Sequence, residues 1–439
     1  MAMTLPEKLL ALKSGQQKVS VGEVVDCKVD VAMAHEALAQ LVKPFAEMGA
    51  DKVWDANRIV VPIDHWVPAS SESSARMHKS IREFCTKYNL PHLYDVGRQG
   101  ICHQVLAEEG FCMPGDLVVG TDSHTNMSGA LGTFSSGIGP TEMAAVFATG
   151  ELWMRVPPTI RMELSGTMPP GVSSKDIVLS IIGRIGDDGA RYQAVEFGGS
   201  GIESMPMYQR FTLTNMTTEM GAKTGVIAAD EKVIEYLENS PCASGRRDEI
   251  RTHADLRADK GAKYARTIDV DCDKLEPVVA CPQSPDNVKT VREAAATVGH
   301  VDQVFIGSCT NARFEDLKQV ADIVRGNHVA PGTRLVVFPA STPIYRRCLE
   351  EGIIRDIMDA GGIFNPASCG ACFGGMGGVL ADGEVCVSTS NRNYKGRMGA
   401  AGSKSYLVSP VTAAVTALTG KLTDPRDFLG EKELIRLAA

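Results

Sequence analysis

Short apolar runs, each followed closely by polar, chemically capable residues, recur along this chain. RIVVPIDHW carries an apolar run over 59–63, then Asp64 and His65. DLVVGTDSH carries one over 117–119, then Asp122, Ser123 and His124. VDQVFIGSCTN carries one over 304–306, then Ser308, Cys309 and Asn311. RLVVFPAST carries one over 335–338, and EVCVSTSNRN one over 385–387, then Asn391 and Arg392. Short, β-branched, uninterrupted runs are what strands buried on both faces look like. Between them lie helical patterns such as FEDLKQVADIV. Thr4 and Glu7 predict a capping box for a helix with Pro6 in its first turn and Gly15 at its end. Thr342 is expected to cap a helix with Pro343 in its first turn. NMTTEMGAKTG reads as helical, which would put Asn215 and Glu219, four apart, on one face.

Alternating strands and helices predict an α/β fold. Open α/β sheets bind ligands at the carboxyl ends of their strands. Five strand ends carrying chemistry therefore predict several sheets presenting their functional edges to one cavity. Gly, Pro and charge clusters near 155–172 and 241–262 mark expected boundaries. The segment 244–266, SGRRDEIRTHADLRADKGAKYAR, interleaves basic and acidic residues and reads as a solvated surface segment.

Composition narrows the function. The 439 residues are 44% hydrophobic and 22% charged, as in ordinary globular proteins. A net charge of −8, with no basic stripe, argues against a nucleic-acid or anionic-membrane surface. No apolar run is long enough to span a membrane, and the N-terminus lacks a signal-peptide core. A cytoplasmic protein is expected.

Of the twelve cysteines, nine show no metal spacing and read as buried small hydrophobes. Cys369 and Cys372 form a C-x-x-C inside NPASCGACFGGMGG, and Cys309 follows a strand in GSCTN. A redox pair should open a helix near an early βαβ unit, and this one lies late in the chain. A zinc site needs four ligands, and the nearest spare cysteine, Cys386, falls inside an apparent strand. Three thiolates suit an iron–sulfur cluster with one iron lacking a protein ligand, free to act as a Lewis acid. Spacing alone leaves all three readings open.

GSCTN, SCGAC and SNRNYKGR together resemble the aconitase superfamily. IDHWVP, DVGRQGICHQ, GDLVVGTDSHT, NMTTEMGAKTG and SPVTAAVTALTGK extend the resemblance along the whole chain in the family's order. Length and the His35-Glu36 pair look most like large subunits of the isopropylmalate-dehydratase branch. The resemblance implies three α/β/α domains, here over 1–157, 158–280 and 281–439, around one 4Fe–4S cluster per chain. It implies Cys309, Cys369 and Cys372 as the cluster ligands, one iron being left without a protein ligand. The reaction would be a dehydration–rehydration of a hydroxy-diacid. His65, His103 and His124 would be the active-site histidines, with Asp64, Asp122 and Glu219 as the carboxylates that orient or charge them. Arg392 and Arg397 would clamp substrate carboxylate. Ser123 and His35 would hydrogen-bond substrate, and Asn215 and Asn391 would line the substrate or cluster. His35 stands where aconitase proper has glutamine, which argues against citrate. His78, His92, His253, His300 and His328 read as surface or packing residues. The glycines around the C-x-x-C are expected to let backbone approach the cluster.

One element of the family's machinery has no counterpart here. No S-R-E type motif of the swivelling domain is found, and ASGRRDE at 243–249 does not match it. The base serine and a further arginine are therefore expected on a separate small subunit. Isopropylmalate leads as substrate; dimethylmalate, citramalate or maleate, and homoaconitate are not separable from it on this chain alone.

Overall fold

The computed structural model describes residues 2–438 and is an α/β structure of two compact units, each discontinuous in sequence. The first unit is Met1–Leu164 with Ala190–Val270, and the second is Ser165–Gly189 with Asp271–Ala439. The chain leaves the first unit near residue 165 for a single helix, Ser174–Ile185, then returns. The start of that excursion falls inside the Gly-, Pro- and charge-rich stretch near 155–172 that reads as a boundary.

The strands of the first unit, in chain order, are β1 (Val24–Lys28), β2 (Val31–Met33), β3 (Ile59–Pro62), β4 (His92–Tyr94), β5 (Leu117–Gly120), β6 (Phe134–Gly137), β7 (Glu151–Arg155), β8 (Thr159–Ser165), β9 (Ala194–Gly198), β10 (Thr224–Ile227) and β11 (Arg266–Asp271). Five form a parallel sheet in the order β4-β3-β2-β5-β6. Met33 pairs with both Val60 and Gly120, so the ends of β2, β3 and β5 lie side by side. Every residue of β3 and β5 is buried, which explains their uninterrupted apolar runs. A second sheet runs β10-β9-β8-β11. β1 and β7 make an antiparallel ribbon whose residues alternate exposed and buried.

The second unit holds β12 (Val278–Ala280), β13 (Val288–Thr290), β14 (Gln303–Ile306), β15 (Arg334–Val337), β16 (Ile363–Phe364), β17 (Val385–Ser388) and β18 (Lys404–Leu407). Their order is β13-β12-β18-β17-β14-β15-β16. The pairs from β18 to β16 are parallel, and β12 is antiparallel to both its neighbours. β14 and β17 are adjacent, so the segments bearing Cys309 and Asn391 leave neighbouring strand ends. The helix read in FEDLKQVADIV spans Phe314–Val324. Among the described residues no helix is long and apolar enough to cross a membrane.

Capping chemistry sets the first helix, Leu5–Ser14, as expected. Thr4 N–H donates to Glu7 at 2.6 Å, Glu7 N–H donates back to Thr4 at 3.5 Å, and Gly15 closes the helix at φ 68°. The cap expected at Thr342 falls one residue earlier. Ser341 is extended and its Oγ accepts from Ile344 N–H at 3.3 Å, making Thr342 the first helical residue.

The segment 244–266 is not wholly solvated. Arg246 is buried, and its guanidinium donates to both oxygens of Asp116 at 2.7 and 2.8 Å. Burial pushes the Asp116 carboxyl up, and the arginine pulls against it. Lys13, 3.8 Å from Asp116, is too far to replace a bidentate pair. Arg246→Met is expected to cost about 3–5 kcal/mol in urea unfolding, because it strands a buried carboxylate. Adding Asp116→Asn should recover some of that loss. A single variant as stable as the parent would show that the pair does not matter.

Candidate active site

The first unit gathers three histidine–carboxylate pairs at the ends of its central strands. After β3, His65 Nδ1 meets Asp64 Oδ1 at 2.6 Å. Asp64 Oδ2 accepts the Cys102 N–H at 2.8 Å, at the start of the helix Cys102–Glu108 that carries His103. After β5, Asp122 accepts His103 Nε2–H and the His124 backbone N–H, each at 2.8 Å. His124 Nε2 in turn meets Glu219 at 2.7 Å. After β2, His35 stacks on His65 with ring centroids 4.8 Å apart, and its Nε2 lies 3.9 Å from Asp122. His35, Asp64, His65, His103, Asp122, His124 and Glu219 thus form one continuous chain of contacts.

Electrostatics follow from those contacts. Burial works against a charge on His65, but Asp64 bonded to it and Glu36 beside it hold its pKa well above the ordinary histidine value. Burial likewise works against Asp122, yet His103 and His124 hold it well below the usual carboxylate range. Asp122 is therefore an acceptor at neutral pH, and His103 Nε2 carries the proton between them. Ser123 is exposed, and with Asp122, Ser136, Ile138, Thr218 and Lys223 it lines a cavity of about 550 Å³. That volume suits a small-molecule ligand.

NMTTEMGAKTG departs from its reading. The α-helix Met207–Asn215 ends at Asn215, and Met216–Met220 is a 3-10 helix closed by Gly221 at φ 79°. Asn215 and Glu219 therefore do not share an α-helical face. The tighter winding belongs to the segment that carries Glu219 to His124.

In the second unit, Cys309, Cys369 and Cys372 are all buried, and none of the twelve cysteines is in a disulfide. Asn391 Nδ2 donates to Cys309 Sγ at 3.4 Å, and Asn391 Oδ1 lies 4.0 Å from Cys372 Sγ. Ser308, at φ 79°, bonds Asn391 and stands 3.4 Å from Cys372 Sγ. Cys369 caps the 3-10 turn Gly370–Phe373, and its carbonyl accepts the Cys372 N–H at 3.2 Å. Three buried thiols on two short loops are a soft donor set that fits iron and sulfide. Cys386 lies in β17.

The glycines beside the C-x-x-C are also required by the protein packed around them. A Cβ on Gly370 would sit 2.7 Å from the Phe338 ring, and one on Gly374 would sit 2.8 Å from the Arg397 carbonyl. Protein approaches this backbone closely, and both glycines adopt positive φ. Gly374 brings the cysteine loop against NRNYKGR, which carries Arg392 and Arg397, both partly buried.

Sequence reasoning missed several supports. Lys175 is fully buried, and its Nζ donates to Thr310 Oγ1 at 3.2 Å, Thr389 O at 2.9 Å and Ser390 O at 2.7 Å. Arg313 donates to the carbonyls of Cys309 at 2.8 Å and Thr310 at 2.6 Å. Both bond residues 309–310 of the Cys309 loop, and neither stands in a spacing pattern. His78, read as surface or packing, is buried with its Nε2 3.7 Å from Glu36.

Comparison with known proteins is consistent with this arrangement. Residues 7–420 match the aconitase family (aconitate hydratase). The chain is 48% identical over 430 residues to "3-isopropylmalate dehydratase large subunit 1" of Methanopyrus kandleri, covering 98% of this chain and all of that protein. It is 46% identical to the "Probable 3-isopropylmalate dehydratase large subunit" of Methanothermobacter thermautotrophicus, over 97% of this chain and 99% of that one. It is 44% identical to the large subunit of that name from Heliobacterium modesticaldum, over 97% and 100%. Among solved structures, aconitase X of Thermococcus kodakaraensis matches with a TM-score of 0.50 at 13% identity, covering 89% of this chain and 93% of that one; this likeness concerns the fold alone. With a family match over nearly its whole length and relatives of this identity, the chain belongs to the aconitase family.

Proposed function

We propose that this chain is the large catalytic subunit of a hydro-lyase that interconverts 2- and 3-isopropylmalate by dehydration and rehydration, in leucine biosynthesis. The observation that carries this reading is the end-to-end similarity, at 42–48% identity, to large subunits of that name. The three histidine–carboxylate pairs support it, because a leaving hydroxyl needs a poised acid.

In this reading Cys309, Cys369 and Cys372 hold a 4Fe–4S cluster with one iron left without a protein ligand. When bound, that cluster supplies Lewis-acid polarisation of the substrate hydroxyl. His65 donates the proton to the leaving oxygen; its raised pKa keeps it charged at neutral pH. Asp64 accepts from Nδ1 and so fixes the orientation of the ring. Asp122 and Glu219 orient His103 and His124 in the same way. Ser123 and His35 hydrogen-bond substrate, Asn215 and Asn391 line the substrate or cluster, and Arg392 and Arg397 bind carboxylate as planar forks. The base that takes the carbon-bound proton, and much of the side-chain recognition, belong to a separate small subunit.

The test is an anaerobic absorbance assay for the enoate intermediate, using iron-reconstituted protein with its co-expressed small subunit. Isopropylmalate, dimethylmalate, citramalate, malate and homocitrate are offered separately. Turnover of isopropylmalate far above the rest is expected. Preference for a smaller diacid would keep the reaction class and reject the substrate. Full turnover by the chain alone would reject the need for a partner.

A further inference from the structure

Glu36 neither binds substrate nor moves a proton in the reading above, yet it is buried beside His35 and His65. Its side chain is 1% exposed. Oε1 accepts the backbone N–H groups of Asp64 at 3.2 Å, His65 at 2.8 Å and Trp66 at 3.1 Å. Those amides follow β3, whereas Glu36 follows β2, so one carboxylate ties two neighbouring strand ends. Oε2 is buried with no hydrogen-bond partner among the described residues. It lies 3.6 Å from His65 Nδ1 and 3.7 Å from His35 Nδ1. His78, on the helix Glu72–Lys87, puts its own unpartnered Nε2 3.7 Å from Oε1.

Three amide donors on one oxygen favour the ionised carboxylate. Its second oxygen then presents a fixed negative charge to the side of His65 that already faces Asp64. We infer that Glu36 is a positioning residue: it builds the 64–66 turn and keeps His65 in its charged, proton-donating state, with His78 seated behind it to keep Glu36 ionised. The inference rests on the reading of His65 as the acid. The groups facing this cluster are Asp64 and His35 beside His65, Asp122 beyond His35, and Asp95 near His78. Asp95 is itself paired with Arg82. Burial opposes ionisation of Glu36, but the three surrounding histidines hold its pKa well below the usual carboxylate range. No sequence pattern connects residues 36, 65 and 78.

Glu36→Gln tests the charge while keeping an acceptor for the three amides, and His78→Leu tests the backing. The His65 titration midpoint is read by NMR on the histidine-labelled full chain, and the pH–rate profile on the reconstituted complex. Removing the carboxylate should lower the midpoint by about one unit. The basic limb of kcat should follow it, so that turnover above the parent's midpoint falls about tenfold with KM little changed. His78→Leu should move both in the same direction by less. An unmoved His65 midpoint in a folded Glu36→Gln protein overturns the inference, as does a rate loss uniform across pH. If the parent complex does not turn over isopropylmalate, the proposed function fails, while the His65 midpoint still decides the role of Glu36.

Discussion

Cys369→Ser is expected to abolish retention of iron and sulfide and to leave no measurable turnover. The loss should exceed the ~10–100-fold typical of changes one shell away from a metal. A serine hydroxyl does not ionise as a thiol does, and a cluster iron is held by thiolate. The turn itself should survive, because the bond that closes it runs from Cys372 N–H to the backbone carbonyl of residue 369. Circular dichroism of the iron-free variant should therefore match that of the iron-free parent. Cys386→Ser is the control. Its thiol is buried in β17, where burial pushes the pKa up to about 12, so it is a packing group and no thiolate. It should lose some stability and keep its iron. Iron retained by Cys369→Ser, or lost equally from Cys386→Ser, would reject the proposed ligand set.

Much of this was readable in the sequence because local chemistry and tertiary need agree. The apolar runs at 59–63, 117–119 and 304–306 became strands within a residue or two of the expected ends, since strands covered on both faces have nowhere to put a polar residue. The Thr4–Glu7 box formed because capping is decided within one turn. Asp64 and His65 are adjacent in sequence, so their contact needed no fold to predict it. What stayed hidden is long-range. Glu36 meets the 64–66 turn only because β2 and β3 are sheet neighbours, and His78 joins them from a helix that looks like an ordinary amphipathic one. Lys175 reaches Thr389 and Ser390 across 214 and 215 residues of chain. Arg246 was hidden by its own neighbours: a charged segment reads as solvated until one arginine finds a buried carboxylate 130 residues away. Register and pairing of this kind belong to topology, and composition does not encode them locally.

Arg397→Lys is expected to keep the cluster and fail at substrate binding. The loop that carries Arg397 is set by its backbone: Arg397 N–H donates to Tyr394 O at 3.0 Å, and Gly374 packs against the Arg397 carbonyl. Neither contact involves the side chain, so a lysine should leave the cysteine loop in place. The side chain is partly buried, and its Nε has no hydrogen-bond acceptor among the described residues. A buried guanidinium nitrogen without an acceptor is costly unless a ligand supplies one. A substrate carboxylate would do so through two parallel bonds, which a lysine ammonium cannot reproduce. Losing one charged hydrogen bond of that pair is worth roughly 1.5–3 kcal/mol, so KM should rise about 10–150-fold. Iron content should not change, and the kcat loss should be smaller than the KM change if the fork binds substrate and transition state alike. An unchanged KM would make Arg397 a surface residue of this loop. Loss of iron in the same variant would make it a support of the cysteines instead, and the carboxylate clamp would then have to rest on Arg392.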